Sequence, residues 1–287
     1  MRIRSVFGLE ADVIKKLVAI FVLSVMTVIP WRTAPAGDRP PGRKGTVQFR
    51  LGELALDITR ALEGSGYLLE FSKGREKLFD CECAFETHQP RTVPHTPFHD
   101  CHTLLAYCFS GGAHCCTTLF IATQCDSGES LDMADLGHSA GEVQFILTDG
   151  AKGKVMKVHD WQFAYYGLEN SEIQFSFASS PAMTRLLVFD NGHWRADRAG
   201  EFSRFYSRLV RQTENKARIS AWRRWTELTA SLAIKAAYYD LMSGKPVEDA
   251  ARVLDRFFPD RWKPYSGKIV QDVCRAASGF NPVQTIR

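Results

Sequence analysis

The residues with the most chemistry to offer are crowded together. Between Cys81 and Cys125 the chain carries seven of its eight cysteines and five of its eight histidines: Cys81, Cys83, His88, His95, His99, Cys101, His102, Cys108, His114, Cys115, Cys116 and Cys125. Three kinds of chemistry fit such a cluster. One is a disulfide framework, because the cysteine count is even and Cys274 supplies an eighth sulfur that can tie the C-terminal part back. Cys115 and Cys116 are adjacent, and on a strand their side chains point to opposite faces, so different partners are expected for them. The second is a metal site. Cys81-x-Cys83 offers two thiolates and His99-x-x-His102 two imidazoles, a soft set suited to zinc or copper. The third is plain interior, since free cysteine packs as a small hydrophobe. Cys101, Leu104, Leu105 and Cys108 fall on one face of a helix, with Gly111-Gly112 after it.

A cysteine nucleophile also needs a base and an orienting group, and Asp100-Cys101-His102 contains all three types. Adjacent side chains diverge, however, so adjacency does not assemble them. No P-loop, H-E-x-x-H or dinucleotide fingerprint occurs in the chain. A non-enzymatic role is therefore the first expectation, with an enzyme of another type as an alternative.

Which sulfur chemistry applies depends on the compartment. Lys15-Lys16 precedes the uncharged apolar stretch Leu17 to Trp31, and Ala34-Pro35-Ala36 follows it. A positive flank, an apolar run and a small-x-small site make a three-part export signal over residues 1–36. The stretch is 15 residues long, against about 20 needed to cross the hydrocarbon of a bilayer. A cleaved signal fits this length better than the alternative, an uncleaved anchor. The mature protein is then periplasmic or secreted, where cysteines oxidise.

The formal net charge of +4 sits largely in that leader. Five of the 36 basic residues (Arg2, Arg4, Lys15, Lys16, Arg32) and two of the 32 acidic ones (Glu10, Asp12) belong to it, leaving 31 against 30. A nearly neutral body has no global field for nucleic acid. One stretch is basic all the same. Arg195 to Arg224 holds nine Lys or Arg against Asp197, Glu201 and Glu214. Arg204, Arg208 and Arg211 share a helical face opposite Phe202, Phe205 and Leu209. That face is either a solvated outer surface or a docking site for an anionic partner: a membrane surface, a cell-wall polymer or an acidic protein. Trp222, Trp225, Tyr238 and Tyr239 fit the apolar stripe or its edge and are expected in the core.

The elements that position these groups read as α+β. Residues 37–45 form a Pro- and Gly-bearing linker. A Cys/His-rich unit over 46–125 follows, with a strand at Val47 to Leu51, a helix at Leu54 to Leu62 (Leu54, Ile58 and Leu62 at i, i+4, i+8) stopped by Gly64-Ser65-Gly66, and a strand at Tyr67 to Phe71. Cys115 to Cys125 reads as a further strand. Residues 126–141 are a polar connector. The unit over 142–287 opens as an antiparallel meander, in which Ile173, Phe175 and Phe177 alternate with polar residues and Asn191-Gly192 makes a two-residue hairpin turn. From Gly200 the period turns helical. One helix carries Phe202 to Val210, a second runs on through Tyr239, and a third spans Val247 to Phe258, between Pro246 and Pro259.

The pattern Phe49-Arg50-Leu51-Gly52-Glu53-Leu54, then Ala61-Leu62 and Ser65-Gly66, with Leu104-Leu105 and Phe120-Ile121 later, resembles the short N-terminal module of bacterial secretins and TonB-dependent receptors. The resemblance implies a small βαβ docking or signalling unit in the periplasm. Together these features predict an exported, disulfide-stabilised protein of the cell envelope or secreted space. Its role would be binding or assembly with an envelope or extracellular protein or an anionic surface, and zinc or copper binding is the alternative.

Overall fold

The computed structural model describes residues 46–60, 66–84, 89–111, 116–138, 142–169 and 171–286. The expected leader and linker, the glycine stop at 64–65, His88, His114 and Cys115 lie outside the described residues. The fold is α+β, with three antiparallel sheets followed by four α-helices.

The first sheet is a meander of β1 (Thr46–Leu51), β2 (Leu54–Arg60), β3 (Tyr67–Lys73) and β4 (Glu76–Cys83), each paired antiparallel with the next. The βαβ unit that the secretin-like resemblance implied is not formed. The segment read as a helix at 54–62 is β2 in its described part. Spacing of i, i+4 is shared by a helical stripe and by one face of a strand. Leu54, Leu56 and Ile58 are all buried, so the period is two.

The second sheet has the order β13-β8-β7-β6-β5, built from β5 (Arg91–Pro94), β6 (His102–Phe109), β7 (Thr117–Cys125), β8 (Gly128–Asp135) and β13 (Val283–Thr285). Two further expectations change here. Cys101 to Cys108 is not a helical face, because 102–109 is β6. Residues 128–135, read as connector, form β8. The third sheet has the order β12-β11-β10-β9, from β9 (Gln144–Ile146), β10 (Val155–Asp160), β11 (Met183–Asp190) and β12 (His193–Ala196). The β11–β12 hairpin turns at Asn191-Gly192, both at positive φ, as that dipeptide predicts. Ile173 and Phe175 are buried, but the half-buried strand expected through them is not formed: Gln174 makes an isolated antiparallel bridge to Gly167, and Phe177 begins a 3-10 turn, Phe177–Ser179.

The sheets stack, and strand alternation assigns each face. On β6, Leu104, Ala106 and Cys108 pack with Leu54, Leu56, Ile58, Leu69 and Phe71 of the first sheet. Leu105 and Tyr107 face the other way, with Met156, Val158, Leu187 and Trp194 of the third sheet. The middle sheet is therefore covered on both faces, so β6 is apolar at consecutive positions. The far face of the third sheet, through Val155, Met183 and Leu186, packs on the helices.

Those helices are α1 (Ser203–Trp222), α2 (Thr226–Met242), α3 (Val247–Phe257) and α4 (Ser266–Gly279). α2 is central. It packs against α1, α3 and α4 and is buried on nearly every side. Among the described residues, no helix is long and apolar enough to cross a membrane. A buried polar network ties the third sheet to this layer. The Arg185 guanidinium donates to Asp197 Oδ1 (2.8 Å), to the Asp197 carbonyl (2.7 Å) and to the Tyr238 hydroxyl (2.7 Å). Tyr238 donates onward to Asp160 Oδ2 (3.0 Å), and Tyr206 donates to Asp197 Oδ2 (2.5 Å). Burial raises the pKa of both carboxyls, and Arg185 opposes that rise. With every member partnered, the network fixes how sheet and helices meet.

Candidate functional site

Two places bring reactive or sticky side chains together, and they lie in different layers. The first is built by the period of a strand. Cys81 and Cys83 are two residues apart on β4, so both sulfurs point to one face. That face meets Cys108 of β6. Cys83 and Cys108 form a disulfide with Cα atoms 5.1 Å apart, which joins the first sheet to the second. Cys81 stays a free thiol, half-buried, with its Sγ 3.1 Å from Cys108 Sγ. Its pKa is raised, first by burial and then by the neighbouring carboxylates of Asp80 and Glu82. Beside Cys83 is a recess lined also by Ile58, Tyr67, Leu69, Pro90 and Tyr107, with room for about one water (≈ 10 Å³). Small-molecule sites run to about 300 Å³ or more.

The remaining sulfurs are placed as follows. Cys101 and Cys125 form a disulfide beside the β6–β7 pairing, Cα atoms 4.1 Å apart, so the Asp100-Cys101-His102 triplet offers no thiol nucleophile. Cys116 is also disulfide-bonded. Cys274 is free, contrary to the expected long-range bridge, because α4 holds it against the helical core, with the third sheet between that core and the cluster. Among the described residues, the one group whose ligand atoms lie within 4.8 Å of one another is Cys81, Cys83 and Cys108. The expected ligand set of Cys81, Cys83, His99 and His102 is not assembled in this way. The histidines instead cluster with each other: His95 stacks on His99 at 4.6 Å, and its Nδ1 lies 2.6 Å from the His99 carbonyl, with the His102 ring 5.9 Å away.

The second place is the corner between α1 and α2. Along α1 the exposed positions Arg204, Arg208, Arg211, Asn215, Arg218 and Trp222 recur at i+4 and i+3, one stripe of the helix. Phe202 on the opposite side is buried, and Phe205 and Leu209 pack on the core. The stripe ends in apolar groups held in solvent. Trp222 is 82% exposed, Ile219 54%, Trp225 49% and Leu228 39%. The expectation that Trp222 and Trp225 are core is therefore wrong, whereas Tyr238 and Tyr239 are buried as expected. The helix boundary explains the difference. α1 stops at Trp222 and α2 begins at Thr226, so the apolar stripe does not run through. No glycine or proline marks the break.

The turn itself is a Schellman motif: Trp225 N–H donates to the Ser220 carbonyl (3.0 Å) and Arg224 N–H to the Ala221 carbonyl (2.9 Å). Arg224 occupies the left-handed position, at φ 59°, where glycine is the usual residue. Beneath it, the Thr229 hydroxyl donates to the Trp225 carbonyl (2.7 Å) and lies 2.9 Å from Ser220 Oγ, which pins the corner. The Arg223 guanidinium lies over the Trp225 ring at 5.0 Å.

The basic residues around this corner are unevenly neutralised. Arg195 is held by Asp190 and Glu201, Arg218 pairs with Glu214, and Arg204 has only a long contact to Asp149 (3.8 Å). Among the described residues, no carboxylate lies within ion-pair distance of Arg208, Arg211, Lys216, Arg223 or Arg224. The half-buried Lys235 of α2 has its pKa lowered by burial and then by Lys216. The α1 arginines were visible in the sequence from their spacing. The tryptophans were not, although Arg-Arg at the end of an apolar stripe, where a C-cap glycine is expected, was a usable signal.

In comparisons with known proteins the chain matches no family model, no curated protein and no solved structure.

Proposed function

We propose that this is an exported, disulfide-stabilised, non-enzymatic binding protein of the cell envelope or secreted space that docks on an anionic membrane surface through the α1–α2 corner. The disulfides Cys83–Cys108 and Cys101–Cys125 fit an oxidising compartment. The observation that carries the docking is the corner itself. It combines solvent-held Trp222, Ile219, Trp225 and Leu228 with Arg208, Arg211, Lys216, Arg223 and Arg224, which have no carboxylate within ion-pair distance among the described residues. Tryptophan settles at the boundary between headgroups and acyl chains, and each basic residue near an anionic surface contributes about 1 kcal/mol. Arg224 adds a second argument. A non-glycine residue in a left-handed cap costs about 1–2 kcal/mol, which a purely structural turn would avoid.

The test is partition of the mature protein onto vesicles of anionic and of zwitterionic lipid, over a salt series. Binding is expected to the anionic vesicles only and to weaken as salt screens the surface. Trp222→Ala should weaken it about tenfold, with little change in folding stability, since loss of an exposed side chain leaves no cavity. Arg224→Gly should weaken it about fivefold, the equivalent of one basic contact, while raising unfolding stability by about 1 kcal/mol. Equal binding to both vesicle types, or anionic binding indifferent to Trp222→Ala, would remove the corner from the function.

A further inference from the structure

The sulfur cluster of β4 and β6 has three members and one bond. We propose that Cys81, Cys83 and Cys108 form a thiol–disulfide exchange site, in which the Cys81 thiol displaces Cys83 and the bond migrates between the two β4 cysteines.

The argument begins with the strand. Cys81 and Cys83 present their sulfurs on the same face, and that face is packed against the residue that bonds one of them. Cys81 Sγ is 3.1 Å from Cys108 Sγ, closer than non-bonded sulfurs ordinarily sit. All three sulfurs lie within 4.8 Å of one another. Moving the bond therefore needs side-chain rotation on β4 and no change in strand pairing. Neither bonding pattern calls on a further described sulfur, because Cys101 and Cys125 are bonded to each other, Cys116 is disulfide-bonded and Cys274 is in the helical layer.

The step balances without an outside reagent. Cys81 gives its proton to solvent, and the thiolate attacks Cys108 Sγ. The Cys81–Cys108 bond forms as the Cys83–Cys108 bond breaks, and Cys83 leaves as a thiolate that takes up a proton. One disulfide and one thiol stand on each side, so nothing is oxidised or reduced overall. The two states differ in what they expose. With the bond on Cys83 the free thiol is half-buried. With the bond on Cys81 the free thiol belongs to Cys83, which is 4% exposed and lines the one-water recess. The bond position thus decides whether a reactive sulfur is offered to solvent or shielded from it.

The site stands apart from the docking corner, and its test does not involve membranes. The oxidised full chain is held at about pH 10, because burial raises the Cys81 thiol above the ordinary pKa of about 8.5, then quenched in acid, alkylated and digested without reduction. Only Glu82 separates the two β4 cysteines, so cleavage after Glu82 distinguishes them. Two cross-linked products are expected, Cys83–Cys108 and Cys81–Cys108, with alkylation shared reciprocally between Cys81 and Cys83. A single Cys83–Cys108 product with all alkylation on Cys81 would overturn the proposal. Cys83→Ala gives a second reading on folded protein. Incubated with glutathione disulfide, which is reduced as the bond forms, it should acquire the Cys81–Cys108 bond and lose accessible thiol at both residues. Full alkylation of both in the folded variant would overturn it equally.

Discussion

Asp160 shows how one buried carboxyl sets a pH dependence. It accepts from the Tyr238 hydroxyl and from the Gln162 N–H (2.9 Å), inside the network that carries Arg185. Burial raises its pKa above the ordinary 3.8, against the pull of those donors and of Arg185. The folded state therefore holds this proton to higher pH than the unfolded chain does. Its contribution to stability is complete below about pH 3.8 and is lost as pH rises through the raised value. In Asp160→Asn the amide oxygen still accepts from Gln162 N–H, and the Tyr238 hydroxyl can accept from the amide nitrogen. Unfolding free energy of this variant relative to the wild type should improve as pH rises above about 4 and level off once pH passes the raised value, read by urea denaturation at each pH. A difference that stays flat with pH would mean that Asp160 titrates alike in both states. Nothing in the sequence around Asp160 marks it, because its partner Tyr238 is 78 positions away.

At the scale of elements, the features that could be read in the sequence are those with local causes. Asn191-Gly192 turned β11 into β12 because that dipeptide tolerates two positive φ values, and Pro246 and Pro259 bounded α3 because proline cannot continue a helix. Leu54–Leu56–Ile58 and Leu104–Leu105 were misread for a tertiary reason. A strand covered on both faces loses its alternation, and four-residue spacing suits either period. The docking corner was half visible: Arg204, Arg208 and Arg211 announce a solvent face, but the exposure of Trp222 depends on where α1 ends. Gly192 gives the element-scale prediction. Nothing lies within 4 Å of a Cβ built there, so Gly192→Ala meets only the cost of φ 84°. That cost should be about 1–2 kcal/mol in chemical denaturation, with Gly192→Asn costing less. An alanine variant as stable as wild type would show that the hairpin turn relaxes freely.

For the whole molecule, the Cys101–Cys125 and Cys83–Cys108 disulfides do different work. Cys101–Cys125 closes a 24-residue separation within the middle sheet, whereas Cys83–Cys108 joins two sheets. Replacing Cys101 and Cys125 together by alanine should lower unfolding free energy by roughly 2–4 kcal/mol. Amide exchange in β1 to β4 should stay close to wild type, because the inter-sheet bond remains. Preferential loss of protection in β1 to β4 would show that the middle sheet transmits the damage. The stacking order also separates the molecule's two kinds of business. Sheets pack about 10 Å apart, so two interlayer spacings put the sulfurs roughly 20 Å from the helical layer. In the proposed docking the bilayer would lie under the helices and touch none of these sulfurs, so a mechanical message to Cys81 would have to pass through Arg185 and the sheets between.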